Sequence, residues 1–443
     1  MIHNLNTHPM KINIPESDKK RVVIVGGGFG GFKLAQMLAR SKVFQIVLID
    51  KNNYHQFQPL FYQVAMGGLE PSSIVFPLRK AFQKRRDVYI RVTEVSSVDT
   101  VNRHLVTPLG ICNYDILVLA LGANTNFYGN EKLAELSIPM KSVSEALFLR
   151  NKILSDYEKA LSTTDYDKRQ GLMDIVIVGG GPTGVEVAGA LAEMKDFILP
   201  KDYPELNCEE IDIYLIQSAE QLLKGMSEKA SLRALEFLTE LGVKVKLNTR
   251  VADFDGEYVH MNDGTAIRSR KVIWAAGITA NQIKGIPAEA ITFGNRLKVN
   301  RINQVEGLGE VFAIGDMAYM EEEAYPKGHP QVAQVAMQQG KHLAENLLRL
   351  QKGQPTLPFH YHDLGSMATI GRNRAVVDLP HWKFQGAFAW LVWLFVHLFQ
   401  ILGVKNKLFI FLNWVWNYAT YDQSLRLIIR PRVPRTGEME VEQ

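Results

Sequence analysis

Two uninterrupted apolar runs organise the reading of this chain, Val22-Val-Ile-Val25 and Ile175-Val-Ile-Val178. A run without polar interruption fits a strand buried on both faces, as in a parallel sheet covered by helices. Each run ends in a glycine-rich turn and passes into apolar residues at helical spacing. The runs 45–50, 211–217, 117–122, 272–277 and 311–317 read as further buried strands. Residues 88–122 and 242–272 alternate and predict β-meanders, the second with a hairpin turn at Asp263-Gly264. A helix with a serine N-cap is expected over 144–161 and another over 184–194, followed by a loop at 196–210. Residues 51–82 show no period.

The two glycine turns carry the most specific chemistry. Each follows a strand, opens a helix and reads G-x-G-x-x-G: Gly26, Gly28 and Gly31 in one, Gly179, Gly181 and Gly184 in the other. In that context the first glycine permits the tight turn and the second lets the backbone approach a pyrophosphate. The third lets helix and strand pack closely, with the helix N-terminus facing the phosphate charge. The loops lie 153 residues apart, and each has a second landmark: Gly122 comes 96 residues after Gly26, and Gly277 comes 98 after Gly179. The fold expected is α/β with two Rossmann-like dinucleotide-binding domains. Two such sites imply two dinucleotides and electron transfer between them. The second strand of each unit should end in an acid for a ribose hydroxyl. Asp50 stands there in the first unit and Gln217 in the second. A neutral amide lacks the charge that repels a 2′-phosphate, so the second site stays open between NADH and NADPH.

Farther along, Gly315-Asp316 ends a strand after the second unit, where the carboxylate can accept a bond from a polyol chain. From Gly386 to Gly403 the chain carries no charge, and Trp390, Trp393, His397 and Gln400 share one helical stripe, with Phe and Leu elsewhere. At about 1.5 Å per residue the run reaches only about 24–27 Å, short of a roughly 30 Å hydrocarbon core. Residues 407–421 place Asn413, Asn417 and Tyr421 on one face beside Trp414, Trp416 and Tyr418. Lys383, Lys405, Lys407, Arg426, Arg430, Arg432 and Arg435 surround these helices, opposed only by Asp422. Aromatic belts and flanking cations are what a bilayer surface selects. The expectation is a pair of helices lying in one leaflet, with a single span left open.

Composition narrows the class. The chain has 443 residues, enough for two or three domains, and its formal charge of +4 is too small to argue for nucleic acid. Residues 1–20 are polar, carry no secretory core segment and are expected to form a mobile tail. The only cysteines, Cys112 and Cys208, form no C-x-x-C pair, and no His/Cys cluster suggests a metal.

Taken together, the chain resembles the type II NADH dehydrogenases, single-subunit NADH:quinone oxidoreductases that do not pump protons. The stretch Asn53-Tyr-His-Gln-Phe-Gln-Pro-Leu-Phe-Tyr-Gln-Val-Ala65 is similar to that family's flavin-side loop. Ala333-Gln-Val-Ala-Met-Gln338 matches its A-Q-x-A-x-Q motif at the flavin ring and quinone entrance. The resemblance implies FAD on Gly26, Gly28, Gly31, Asp50 and Asp316, and NADH on Gly179, Gly181, Gly184 and Gln217. It implies catalytic roles for Glu186, near nicotinamide and flavin, and for Gln334 and Gln338 on the quinone side. The quinone, ubiquinone or menaquinone, would come from lipid at the cytoplasmic face of the cytoplasmic membrane. Gln217 departs from the family's usual Glu, and a homodimer stays open. The domains implied are 21–144 and 286–365 for FAD, 145–285 for NAD(P)H and 366–443 for membrane and quinone. Two alternatives remain at this point. A flavoprotein like apoptosis-inducing factor would leave the tail unexplained, and a sulfide:quinone oxidoreductase would need redox cysteines at the flavin.

Overall fold

The computed structural model describes residues 10–421 and 425–429. The chain divides into two compact units, the first holding residues up to 56 with 75–126 and 277–364, the second 57–74, 127–276 and 365 onward. The crossings fall at 126 and 277 rather than at 144 and 285. The reason is local: strands Ala123–Thr125 and Ile278–Ala280, which follow the two landmark glycines, pair antiparallel inside the first unit.

The first unit is built on a parallel five-stranded sheet in the order Val311–Ala313, Ile116–Leu119, Arg21–Val25, Gln45–Asp50, Val88–Val92. The apolar runs sit at its centre and are fully buried. Val88–Val92, expected in the meander, is instead the edge of this sheet, and one covered face is enough to make it alternate. The meander proper is Ser97–Asp99, His104–Thr107 and Gly110–Asn113. Helix Phe29–Ser41 packs on helix Ala333–Gln351 so closely that a Cβ at Gly340 would run into the Gly30 carbonyl. Residues 10–20 do not form a mobile tail. Ile12 and Ile14 are buried, and Met10 and Ile12 exchange backbone hydrogen bonds with Ile111 at 2.8 and 2.9 Å. These two alternate apolar positions hide within a polar segment. Residues 1–9 lie outside the described residues.

The second unit repeats the plan with Ile138–Pro139, Val272–Trp274, Ile175–Val178, Ile213–Ile216 and Lys244–Lys246, again all parallel. Its meander, Val251–Phe254, Tyr258–Met261 and Ala266–Arg268, turns at Asp263-Gly264. Helix Val143–Leu161 is capped by Ser142 rather than Ser144: the Ser142 hydroxyl accepts from the Glu145 N–H, and Glu145 accepts from the Lys141 N–H in return. The expected loop at 196–210 contains the short helix Leu199–Asp202. Residues 57–74, aperiodic in sequence, carry the short helix Phe61–Ala65, packed on helices Val143–Leu161 and Pro182–Phe197.

The unit closes with three antiparallel strands, Ser366–Gly371, Arg374–Asp378 and Lys383–Gln385, then helices Ala387–Gln400 and Val404–Thr420. These two helices are inside out for a protein in water. Trp393 is fully buried, Trp390 and His397 are half-buried, and Phe388, Leu391, Phe395 and Phe399 point outward. On the second helix Ile410 is buried while Leu408, Phe409, Phe411, Leu412, Val415 and Trp416 are about half exposed. Among the described residues no helix is long and apolar enough to cross a membrane. The uncharged run breaks at Gly403, whose φ of +86° starts the second helix in a new direction. Arg426, expected among the cations offered to lipid, is instead paired with Asp202, with Nη2 2.9 Å from Oδ1. Arg430, Arg432, Arg435 and Asp422 lie outside the described residues.

Candidate functional site

The two glycine loops fold alike, atom for atom along the backbone. Gly26 and Gly179 hold φ of +107° and +110°, and their N–H groups donate to Ile49 and Ile216 carbonyls, each at 2.8 Å. A Cβ at either would meet the carbonyl of Ala120 or Ala275. At Gly31 and Gly184 a Cβ would strike the carbonyl of Gly26 or Gly179, so strand and helix touch through their backbones. Gly28 and Gly181 differ from these. Their φ values of −70° and −76° suit any residue, and a Cβ there would enter open space. They occupy N-cap positions without a side-chain cap, and the first turn of each helix has no acid. A helix N-terminus with no acid in its first turn suits an anion, and the open space above the glycine fits a pyrophosphate; in the second helix Pro182 takes the first position and brings no N–H.

The residue that ends the second strand decides what each loop offers besides its amides. Asp50 accepts the Gly27 N–H at 2.6 Å and the Asn52 N–H at 2.7 Å. Burial nevertheless raises its pKa, with those two bonds pulling the other way. In the second unit Gln217 takes the same place. Its Oε1 accepts the Gly180 N–H at 3.1 Å and its Nε2 donates to the Gln221 carbonyl at 3.1 Å. The first loop has a further prop that sequence reasoning did not single out. His55 is buried, its Nδ1 lies 2.9 Å from the Gly27 carbonyl, and its ring stacks on Phe32 and meets Phe29 edge-on.

The amides of the A-Q-x-A-x-Q segment divide their work. Gln334 Oε1 accepts the Leu364 N–H at 3.0 Å. Gln338 grips His362 from both sides, donating to its carbonyl at 2.8 Å and accepting its N–H at 3.0 Å. Gln339, the next residue, turns to the Gly315-Asp316 strand end instead and accepts the Gly315 N–H at 2.7 Å. Within the first unit, then, Gln334 and Gln338 hold the 362–364 segment.

Glu186 lies on helix Pro182–Phe197 of the second unit and lines an aromatic cleft of about 130 Å³. Tyr62, Glu193, Trp390, Trp414 and Tyr418 share its wall. Burial pushes the Glu186 carboxyl up to about 8, against a Thr369 backbone hydrogen bond and the Trp393 indole, which lower it. Trp393 stacks on His397 with ring centres 3.9 Å apart, and burial drives His397 down to about 4 despite its bond to the Trp393 carbonyl. The inward stripe of the first C-terminal helix thus forms the floor behind this cleft. Trp414 donates to Gln63 Oε1 at 2.7 Å and fastens the second helix to the same wall. Cys112 packs in the first unit's core and Cys208 opens a short turn in the second, both free.

Comparison with known proteins agrees with this geometry. A family described as pyridine nucleotide-disulphide oxidoreductase matches residues 20–340, and one described as the NDH2 C-terminal domain matches 363–419. The type II NADH:quinone oxidoreductase Ndh of Mycobacterium tuberculosis is 36% identical over 421 residues, covering 91% of this chain and 89% of its own. NdhA of the same organism is 35% identical over 413 residues, covering 89% and 86%. Of solved structures, NDH2 from Plasmodium falciparum in complex with NADH superposes with a TM-score of 0.85 at 22% identity, over 93% of this chain and 100% of that one. The sulfide:quinone oxidoreductase of Aquifex aeolicus shares the fold at a TM-score of 0.69 and 19% identity, over 88% and 92%. The chain belongs to the pyridine nucleotide-disulphide oxidoreductase family and, within it, to the type II NADH:quinone oxidoreductases.

Proposed function

We propose that the Gly26–Gly31 cradle holds FAD, that the Gly179–Gly184 cradle holds the nicotinamide nucleotide, and that the quinone is taken from lipid. The paired cradles support the first two assignments. Asp50 presents a carboxylate to an adenosine ribose, and Asp316 ends a strand of the same unit, suited to a polyol. Bound there, FAD supplies a two-electron carrier between NADH and quinone. The chain's own residues bind, orient and exclude water. Glu186 is protonated at neutral pH because its surroundings disfavour charge, so it can give a proton at the carboxyl oxygen where quinone reduction consumes one. Gln334 and Gln338 act on the quinone half-reaction through the 362–364 segment they hold. Gln217 lets a 2′-phosphate approach where a carboxylate would repel it, so NADPH is accepted alongside NADH.

The observation that carries the lipid reading is the outward apolar face of helices Ala387–Gln400 and Val404–Thr420. Each Phe or Leu side chain taken out of water there contributes about 1.5–3 kcal/mol. Lys405 and Lys407 lie over Phe409 and Phe399, cations beside the apolar face, as suits an anionic leaflet. The helices lie along the cytoplasmic surface of the membrane.

The test is co-sedimentation with anionic liposomes and turnover with a long-chain against a short-chain quinone. Phe395→Glu with Leu412→Glu should release the protein from vesicles and cut long-chain turnover at least a hundred-fold, leaving short-chain turnover near normal. Undiminished binding and long-chain turnover would sink the proposal.

A further inference from the structure

The Gly315-Asp316 turn is held from three sides by side chains of its own unit. Arg296 Nη2 donates to the Ala318 and His329 carbonyls, and Gln331 Nε2 donates to the Asp316 carbonyl at 2.9 Å. The third brace, Gln339, is the most deeply buried of the three. Its side chain is fully buried. Because the Gly315 N–H can only donate, the amide oxygen must face it, which fixes which way the NH₂ points. That NH₂ has no hydrogen-bond partner among the described residues. A buried amide donor left unmatched destabilises the fold, so such a group marks where an acceptor belongs. Its surroundings name the class of acceptor. Gln339 stands in the second turn of helix Ala333–Gln351, beside Ala336, which touches Gly315, and Gly340, which meets Gly30 of the first glycine loop. Gln339 thus stands on a helix that touches both the first glycine loop and the turn bearing Asp316.

We propose that Gln339 is a positioning residue for the flavin. Its Oε1 locks Gly315, at φ +69°, so that the Asp316 turn is held ready. Its Nε2 donates to an oxygen of the ribityl–pyrophosphate chain, directly or through one water. This rests on the reading that FAD occupies the Gly26–Gly31 cradle.

The experiment follows FAD release from the purified holoenzyme, by the rise in flavin fluorescence on dilution, across pH 5–9. In Gln339→Leu, release should be at least ten-fold faster at every pH. In Gln339→Glu, the ionised carboxylate keeps the acceptor for Gly315 and loses the donor, so release should be fast at pH 9. It should slow toward the wild-type rate as pH falls, because a protonated carboxyl donates again. A merely structural role would not give that pH profile. Release at the wild-type rate in Gln339→Glu at pH 9, or fast release that does not recover at low pH, overturns the proposal. Should Gln339→Leu fail to fold, the near-isosteric Gln339→Glu carries the test alone. Gly28→Asp tests the cradle separately. Normal flavin content in that variant would overturn the underlying reading, whereas a flavin-free Gly28→Asp with unaltered Gln339→Glu release would overturn only the role of Gln339.

Discussion

The first and second cradles share a backbone and differ in the side chains set on it. Gly27 N–H meets the carboxylate of Asp50, and Gly180 N–H meets the amide of Gln217, through the same strand–turn–helix frame. One turn into the helix, Lys33 in the first unit stands in register with Glu186 in the second. The first unit adds His55 under its loop and the Gln339 brace behind Asp316. The second unit adds the cleft walled by its C-terminal helices. The shared part is what close packing of strand and helix backbones demands at the first and third glycines, where a Cβ would strike a carbonyl. The differing part is electrostatic, set by single side chains at positions where sterics allow many.

The largest effect should come from charging the two open glycines. Gly28 and Gly181 hold ordinary dihedral angles over open space, and aspartate is a favoured N-cap, so Gly28→Asp and Gly181→Asp should both fold, the first melting lower by the stabilisation that bound flavin supplies. Gly28→Asp should purify colourless, with turnover down more than a thousand-fold. Gly181→Asp should stay yellow, with its KM for NADH raised about a hundred-fold. Flavin spectra and steady-state kinetics decide this, and the reverse pattern would exchange the two assignments.

A smaller effect belongs to Glu186. Its folded pKa is raised to about 8 from an ordinary carboxylate value. Neutral Glu186 therefore stabilises the fold relative to the ionised form. That contribution is complete below the ordinary value and is lost as pH rises through about 8. Quinone turnover should fall over the same upper range. Glu186→Gln should lose that limb of the profile and about a hundred-fold in rate, within the range of a positioned acid. The variant should melt higher than the wild type at pH 9 and near it at pH 5. An unchanged pH profile would remove Glu186 from the proton path.

The smallest effect sharpens the Asp50–Gln217 contrast. Gln217→Glu should raise the preference for NADH over NADPH in kcat/KM by about ten-fold, a typical single-interaction effect. An unchanged ratio would show that the amide, already bonded to Gly180 and Gln221, does not face the ribose.

Sequence alone determined the duplicated strand–glycine–helix units, because the demands there are local. Uninterrupted apolar runs need a covered parallel sheet, and the first and third glycines of G-x-G-x-x-G let strand and helix backbones touch. It also marked Asp50, Gln217 and the amide-rich 333–339 segment as chemistry, and it placed the polar stripe of the first C-terminal helix. Tertiary structure decided what distance along the chain conceals. Ile12 and Ile14 join the core through Ile111, almost a hundred residues away. The crossing points shift to the strands after Gly122 and Gly277 because those strands pair with one another. Arg426 is spent on Asp202 instead of being offered to lipid. Periodicity showed that the C-terminal helix has two faces but not which one the protein keeps. Only the packing of Trp393 and Trp414 against residues 57–74 turned Trp390, Trp393 and His397 inward and left the apolar side out, while Gln400 at the end of the stripe stays exposed. Likewise, three neighbouring glutamines look equivalent in sequence. Helical rotation of about 100° per residue sends Gln338 to His362 and Gln339 to Gly315, so adjacent amides serve different partners.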